Sequence, residues 1–227
     1  MSYIGLHNHT DIGSNVRLKD STNKVPDMIE YAHQLGHKGI AITDHECVGA
    51  ALDVINYYNS VKDNSEWKDF KIVLGNEIYL CTEDVTAENK AVNRYPHFIL
   101  LALNSNGHKC IRELSTLAWS QSFMDVMNRV PLYYYQLEEQ MQKYKGDVVG
   151  ASACLGGALP NRLLSYRELE EIDPEQYQSI WQSCIDWVEY MNEIFGKGYF
   201  FLEMQPSENK EQVYVNNKLL QLSVETN

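Results

Sequence analysis

Short apolar runs alternate with helix-spaced stretches along this chain of 227 residues, and that alternation predicts an α/β fold. Two observations carry the expectation. Six runs rich in Ile, Val, Leu and Phe are short enough to be buried strands, and the segments between them repeat apolar residues at helical spacing. Metal-competent polar residues stand directly after several of these runs, where α/β folds build their sites. Periodicity alone leaves a barrel and a doubly wound sheet equally open.

Tyr3–Leu6 reads as the first buried strand. Pro26 suits the first turn of a helix; Met28, Ile29, Ala32 and Leu35 follow at helical spacing, and Gly36 stops it. Gly39–Thr43 is a second strand, and Ala50 to Val61 a helix with Leu52, Ile55 and Tyr58 on one side. Lys71–Leu74 opens a third strand that runs on through Ile78 and Leu80, and the polar residues 82–95 predict a loop or excursion. Phe98–Leu103 is a fourth strand, and Ile111, Leu114, Leu117 and Ala118 mark the next helix. Within 119–145 only a helix from Tyr133-Tyr134-Tyr135 to near Lys145-Gly146 is legible. Asp147–Gly150 is a fifth strand. Gln176 to Phe195 is an amphipathic helix carrying Trp181, Cys184, Trp187, Val188 and Met191. Tyr199–Glu203 is a sixth strand and Glu211 to Val224 a final helix.

Charge and composition exclude several classes. Apolar residues make up 44% of the chain and charged residues 22%, the balance of a folded globular protein. No apolar run reaches the ~18 residues that would suggest a spanning helix, so no membrane partner is expected. The opening Met1-Ser2-Tyr3-Ile4-Gly5-Leu6-His7 shows no basic n-region and no apolar h-region, so no signal peptide is expected there. Lys and Arg number 19 against 31 Asp and Glu, a net charge of −12. A broad phosphate-neutralising face needs a basic excess. Phosphate chemistry here would therefore need bound cations or a partner domain. The five cysteines form no C-x-x-C pair, which argues against a disulfide framework or a zinc finger, so a reducing cytoplasm is the expected location.

Five places stand out chemically. His7-Asn8-His9 follows the first strand; residues two apart in extended chain point the same way, so both imidazoles can converge on one ion. Thr43-Asp44-His45 ends the second strand, although taken alone Asp44 reads as a helix cap and His45 as exposed. Glu77 lies between Leu74 and Ile78, where a carboxylate is costly unless paired or metal-bound. His97 stands at the start of the fourth strand, the wrong end for the strand-end rule. Cys154 sits among small residues that would let an ion approach, although a lone Cys is more often an inert buried thiol. His33, His37 and His108 read as surface or capping residues, and Trp181 and Trp187 as core.

Together, His7-x-His9, Ile42-Thr43-Asp44-His45, Gly75-Asn76-Glu77, Tyr95-Pro96-His97-Phe98 and Ala151-Ser152-x-Cys154-Leu155 resemble the PHP (polymerase and histidinol phosphatase) family. More closely, the chain is similar to the PHP domain of bacterial or phage DNA polymerase III alpha subunits, a similarity that extends to Arg112-Glu113-Leu114-Ser115 and Leu202-Glu203. The resemblance implies a distorted (βα)7 barrel with up to three divalent cations, zinc and/or manganese, at one mouth. Carried over position by position, the implied metal ligands are His7, His9, Asp20, His45, Glu77, His97 and Cys154, with His7, His9, His45 and Glu77 as the catalytic set. Glu77 would bridge cations, Asp11 competes with Asp20, and Asp44 would orient rather than ligate. The family closes its site with an Asp-x-His pair on its last strand. The final residues Ser223-Val224-Glu225-Thr226-Asn227 carry no such pair, so 1–227 is expected to be a single PHP domain missing its seventh strand.

The implied function is a metal-dependent phosphoesterase with 3′–5′ exonuclease chemistry on single-stranded DNA ends, beside the remaining domains of a replicative polymerase. Two alternatives stand next to it. One is a catalytically silent module that braces the polymerase, and the other a free-standing phosphatase of the histidinol-phosphate type.

Overall fold

The computed structural model of the chain describes residues 3–16, 18–82, 86, 88, 95–125 and 127–226. Most of the excursion expected at 82–95 lies outside them. β1 (Ile4–Gly5), β2 (Gly39–Ile42) and the first half of β3 (Lys71–Cys81) pair in parallel. Parallel neighbours need crossovers. α1 (Asp11–Val16) and α2 (Val25–Gln34) make the first and α3 (Ala51–Val61) the second. Pro26 lies in the first turn of α2, and Gly36, at φ 76°, stops the helix as expected.

The rest of the sheet departs from uniform parallel alternation. β4 (His97–Ala102) runs antiparallel to β3, with Glu77 opposite Ile99 and Tyr79 opposite His97. α4 (Ser105–Ser120) follows, capped by Asn104, whose side chain accepts from the amides of Asn106 and Gly107. The stretch without a clear pattern holds a hairpin of β5 (Phe123–Met124) and β6 (Asn128–Arg129), then β7 (Pro131–Tyr133), which pairs with the far end of β3. Strands of two or three residues are too short to display a period. α5 (Tyr134–Tyr144) leads to β8 (Val148–Ala151), antiparallel to β4. α6 (Ala158–Ser165), α7 (Leu169–Ile172) and α8 (Pro174–Phe195) precede β9 (Phe200–Phe201), parallel to β8 and shorter than the expected sixth strand. α9 (Lys210–Glu225) follows. The order is β1-β2-β3-β4-β8-β9, with β7 beside β3. This is a mixed α/β fold with a curled sheet and one reversed strand; strict (βα) repetition does not describe it.

Both faces of β4 are covered, which is why it reads as an unbroken apolar run. Phe98 and Leu100 join the larger core with Ile111, Leu114, Leu137 and Phe195, while Ile99 and Leu101 join a smaller inner cluster with Ala41 and Ala153. Trp181 is buried in the larger core and Trp187 packs against it, as expected. In α3 the side that carries Leu52, Ile55 and Tyr58 faces outward, at 66%, 41% and 48% exposure, and the helix packs through Val54. Val54, with Ala50 just before the helix, shares a core cluster with Ile40 and Ile42 of β2. On the inner face a cavity of about 480 Å³ opens between β1 and β9, the two edges of the sheet, walled by Leu6, Leu101, Val149 and Phe201.

Candidate metal centre

The site forms where the ends of β1, β2 and β8 meet the middle of β3 and the start of β4. Asn8 explains how two histidines are presented together. Its side chain turns away from them and donates to the carbonyls of Gly5 and Ala41, both at 3.0 Å, while its backbone pairs with Thr43. His7 and His9 therefore face one way, as the two-residue period requires, with their Nε2 atoms 3.2 Å apart. Asp44 clamps this segment to β2. Its carboxylate accepts from the Thr10 amide at 2.6 Å and the Thr10 hydroxyl at 2.7 Å. Asp44 thus ties the segment that follows His9 to the end of β2. His45 follows directly and meets β3 in a bridge opposite Glu77, and the next residue, Glu46, adopts φ 45°. That left-handed conformation is disfavoured for a side chain with a Cβ and is typical of backbone held at a functional site.

Glu77, fully buried, is the centre. Its Oε1 lies 2.6 Å from His97 Nδ1. Its Oε2 lies 2.7 Å from His45 Nδ1, 3.3 Å from His9 Nε2 and 3.4 Å from His7 Nε2. His97 reaches it because β4 is reversed: the start of β4 lies at the rim where the parallel strands end. Cys154 Sγ is 3.5 Å from His97 Nδ1 and 3.9 Å from Glu77 Oε1. Ala153, at φ 61°, and Gly156, where a Cβ would lie 2.9 Å from the His97 ring, shape that approach. Asp20 Oδ2 comes to 3.2 Å from His45 Nε2, whereas Asp11 opens α1. His7, His9, His45, His97 and Cys154 gather around the Glu77 carboxylate, and Asp20 meets His45 on its other nitrogen.

The charges follow from the packing. Burial alone would raise Glu77, but the rings of His45, His7 and His97 overcome it and hold the carboxyl well below its ordinary range. Burial opposes charge on His7, yet the carboxylates of Glu203 and Glu77 prevail and push its pKa up to about 10. His97, buried too, is carried up to about 9 by Cys154 and Glu77. His9 goes the other way, to about 4, because burial, with His45 and His7 adding like charge, outweighs Glu77.

Two groups in the arrangement were not on the candidate list. Glu203, just past β9, accepts from His7 Nδ1 at 2.7 Å. Its signal was available, since an acidic residue follows an apolar run there. Tyr79 Oη lies 3.1 Å from His45 Nδ1, and an aromatic residue inside a strand carries no such signal. The remaining histidines stand apart: His33 stacks on Trp67, His37 meets Tyr3 edge-on, and His108 lies in α4. Cys47, Cys81, Cys110 and Cys184 are buried and in no disulfide.

The donor set fits divalent cations. His9 Nδ1 and Glu77 Oε2 are buried without a hydrogen-bond partner, although Oε2 has three ring nitrogens within 3.4 Å. Close distances without hydrogen-bond geometry suit atoms aimed at a shared ion better than at each other. His7, His9 and Glu77 form one cluster that could hold a metal, and His45, Glu77 and His97 another. The sequence profile of the PHP domain matches residues 5–207. A DNA-directed DNA polymerase of Bacillus phage SPbeta is 40% identical over 228 residues, covering 97% of this chain and 17% of its own length. DNA polymerase III alpha subunits of Aquifex aeolicus and Borreliella burgdorferi are each 26% identical over 228 residues, covering 97% and 98% of this chain. The chain spans 17% of the length of each of these relatives. With the profile matched over most of its length and the family's metal-competent residues drawn together, this chain belongs to the PHP domain family.

Proposed function

We propose that this chain is the PHP domain of a DNA polymerase III alpha-type enzyme and that it hydrolyses phosphodiester bonds at single-stranded 3′ ends with divalent cations. The observation that carries the reading is the convergence of four imidazoles and the Cys154 thiol on the buried carboxylate of Glu77. His7 and His9 would hold one cation with Glu77, and His45 and His97 another, with Asp20 and Cys154 extending the set. When bound, zinc or manganese supplies Lewis acidity that polarises a phosphoryl oxygen and lowers the pKa of water. Imidazole and thiolate suit zinc; imidazole and carboxylate suit manganese. The chain's own residues do the positioning: Asn8 and Asp44 hold the histidine loop, and Glu77 anchors both clusters. With a net charge of −12, phosphate binding depends on a local reversal of sign in this pocket. Residues 1–227 would act as one domain, in the cytoplasm, beside the other polymerase domains. Among the described residues no helix is long and apolar enough to cross a membrane.

The test is incubation of the purified chain with 5′-labelled single-stranded DNA and manganese or zinc. Shortening from the 3′ end is expected, abolished by a chelator and by His9→Ala. A chain that binds the metals but leaves DNA and small phosphate esters intact overturns the hydrolase reading in favour of a bracing module. Cleavage of histidinol phosphate without cleavage of DNA overturns the exonuclease assignment.

A further inference from the structure

Glu203 touches the cluster from outside. His7 carries its two ring nitrogens on opposite sides. Nε2 faces inward, 3.2 Å from His9 Nε2 and 3.4 Å from Glu77, while Nδ1 faces outward to Glu203 Oε1 at 2.7 Å. A carboxylate only accepts, so Nδ1 must carry the proton and Nε2 is left as the metal-facing nitrogen. Oε1 thus sits on the far side of the imidazole from the other donors, a position for orienting a ligand and not for being one.

Glu203 is itself held from several directions. Its amide donates to Ser152 Oγ, one residue past β8, at 2.9 Å. Gln205 Nε2 donates to its Oε1 at 2.7 Å. The Gln205 carbonyl in turn accepts from Asn216 Nδ2 on α9 at 2.8 Å. A rigid support of this kind separates a positioning group from a solvated surface carboxylate. The His7–Glu203 bond also joins the chain just past the two edge strands, β1 and β9, beside the cavity between them, across 196 residues of sequence.

We propose that Glu203 is a positioning residue that fixes the tautomer and ring orientation of His7, so that the first metal ligand of the chain is set by its far end. The proposal rests on the reading above only in taking His7 as a ligand. Glu203→Ala and the isosteric Glu203→Gln are compared with the unaltered chain by zinc calorimetry and by nitrogen NMR of the zinc-loaded histidines. Zinc affinity should fall roughly 10- to 100-fold in Glu203→Ala, the usual effect of losing such a partner. It should fall less in Glu203→Gln, whose side-chain carbonyl can still accept. The zinc-loaded unaltered chain should show His7 protonated at Nδ1. Unchanged affinity in both variants, or His7 bound through Nδ1, overturns the proposal; if Glu203→Ala does not fold, the nitrogen NMR of the zinc-loaded unaltered chain decides, through which ring nitrogen of His7 carries the proton. No DNA enters this assay, so a chain that binds zinc but cleaves nothing defeats the hydrolase reading alone. Normal zinc binding in the variants defeats this inference alone, and an unaltered chain that takes up no zinc defeats both.

Discussion

Replacing Glu77 by Gln removes one charge and almost no volume from the middle of the site. The carboxylate is fully buried, and ring nitrogens lie 2.6–3.4 Å from it. Without metal, its charge is balanced by His7 and His97, whose pKa values of about 10 and about 9 keep both rings protonated at pH 7. At ~3 Å and an effective dielectric of ~20, each such pair attracts by roughly 5 kcal/mol before desolvation is counted. Removing one partner of a buried pair typically costs about 3–5 kcal/mol. The Gln amide keeps the shape and can still bond a ring, so the lower end, about 3 kcal/mol, is expected for the metal-free protein. At roughly 2–4 °C per kcal/mol for a chain of this size, Tm should fall by about 6–12 °C. The pH dependence has a definite sign. The imidazoles, raised above 6.5, contribute stability that is whole below that pH and lost as pH climbs toward their folded values. Glu77, held below 4.5, contributes above that value and loses its share as pH falls. The difference between the two proteins should therefore peak between those limits and shrink in alkali. The assay is urea denaturation in chelator across pH, with zinc calorimetry beside it. Equal stability at all pH values, or undiminished zinc affinity in Glu77→Gln, would refute the view that this carboxylate organises the site.

Gly156→Ala places a Cβ within 2.9–3.0 Å of the His97 ring, which must then leave Glu77 and Cys154; zinc affinity should drop by roughly tenfold with little change in the circular dichroism. Zinc uptake should release protons and tighten from pH 6 to pH 8, because His7 and His97 are charged in the metal-free protein; calorimetry in buffers of different ionisation enthalpy counts the protons. Away from the site, Lys218 is nearly buried, its Nζ 2.6 Å from Glu170 and 5.4–5.7 Å from the rings of Tyr177, Trp181 and Tyr214. Lys218→Met keeps most of the stem and should lose about 1–2 kcal/mol in denaturant melts, with zinc affinity unaltered.

Much of the site was legible from local rules. A histidine pair at spacing two after a strand faces one way whatever the fold, and His7 and His9 do so. A carboxylate inside an apolar strand needs a compensating charge, and Glu77 has several. Other features followed no local rule. His97 stood at the wrong end of its strand until the reversal of β4 made that end the right one. Spacing placed Leu52, Ile55 and Tyr58 on one side of α3 but does not say which way a stripe points, and only the packing shows that this side faces outward. Glu203 carries the same acid-after-strand pattern as other surface residues, and only its contact with His7 distinguishes it.

What the chain determined by itself is the kind of chemistry available, because ligand type, strand period and the cost of an unpaired buried charge are properties of a few neighbouring residues. What the tertiary structure decided is that those side chains meet. Strand order and direction carry that decision, and they depend on which apolar faces bury one another across the sheet, a global sum that no single window of sequence contains.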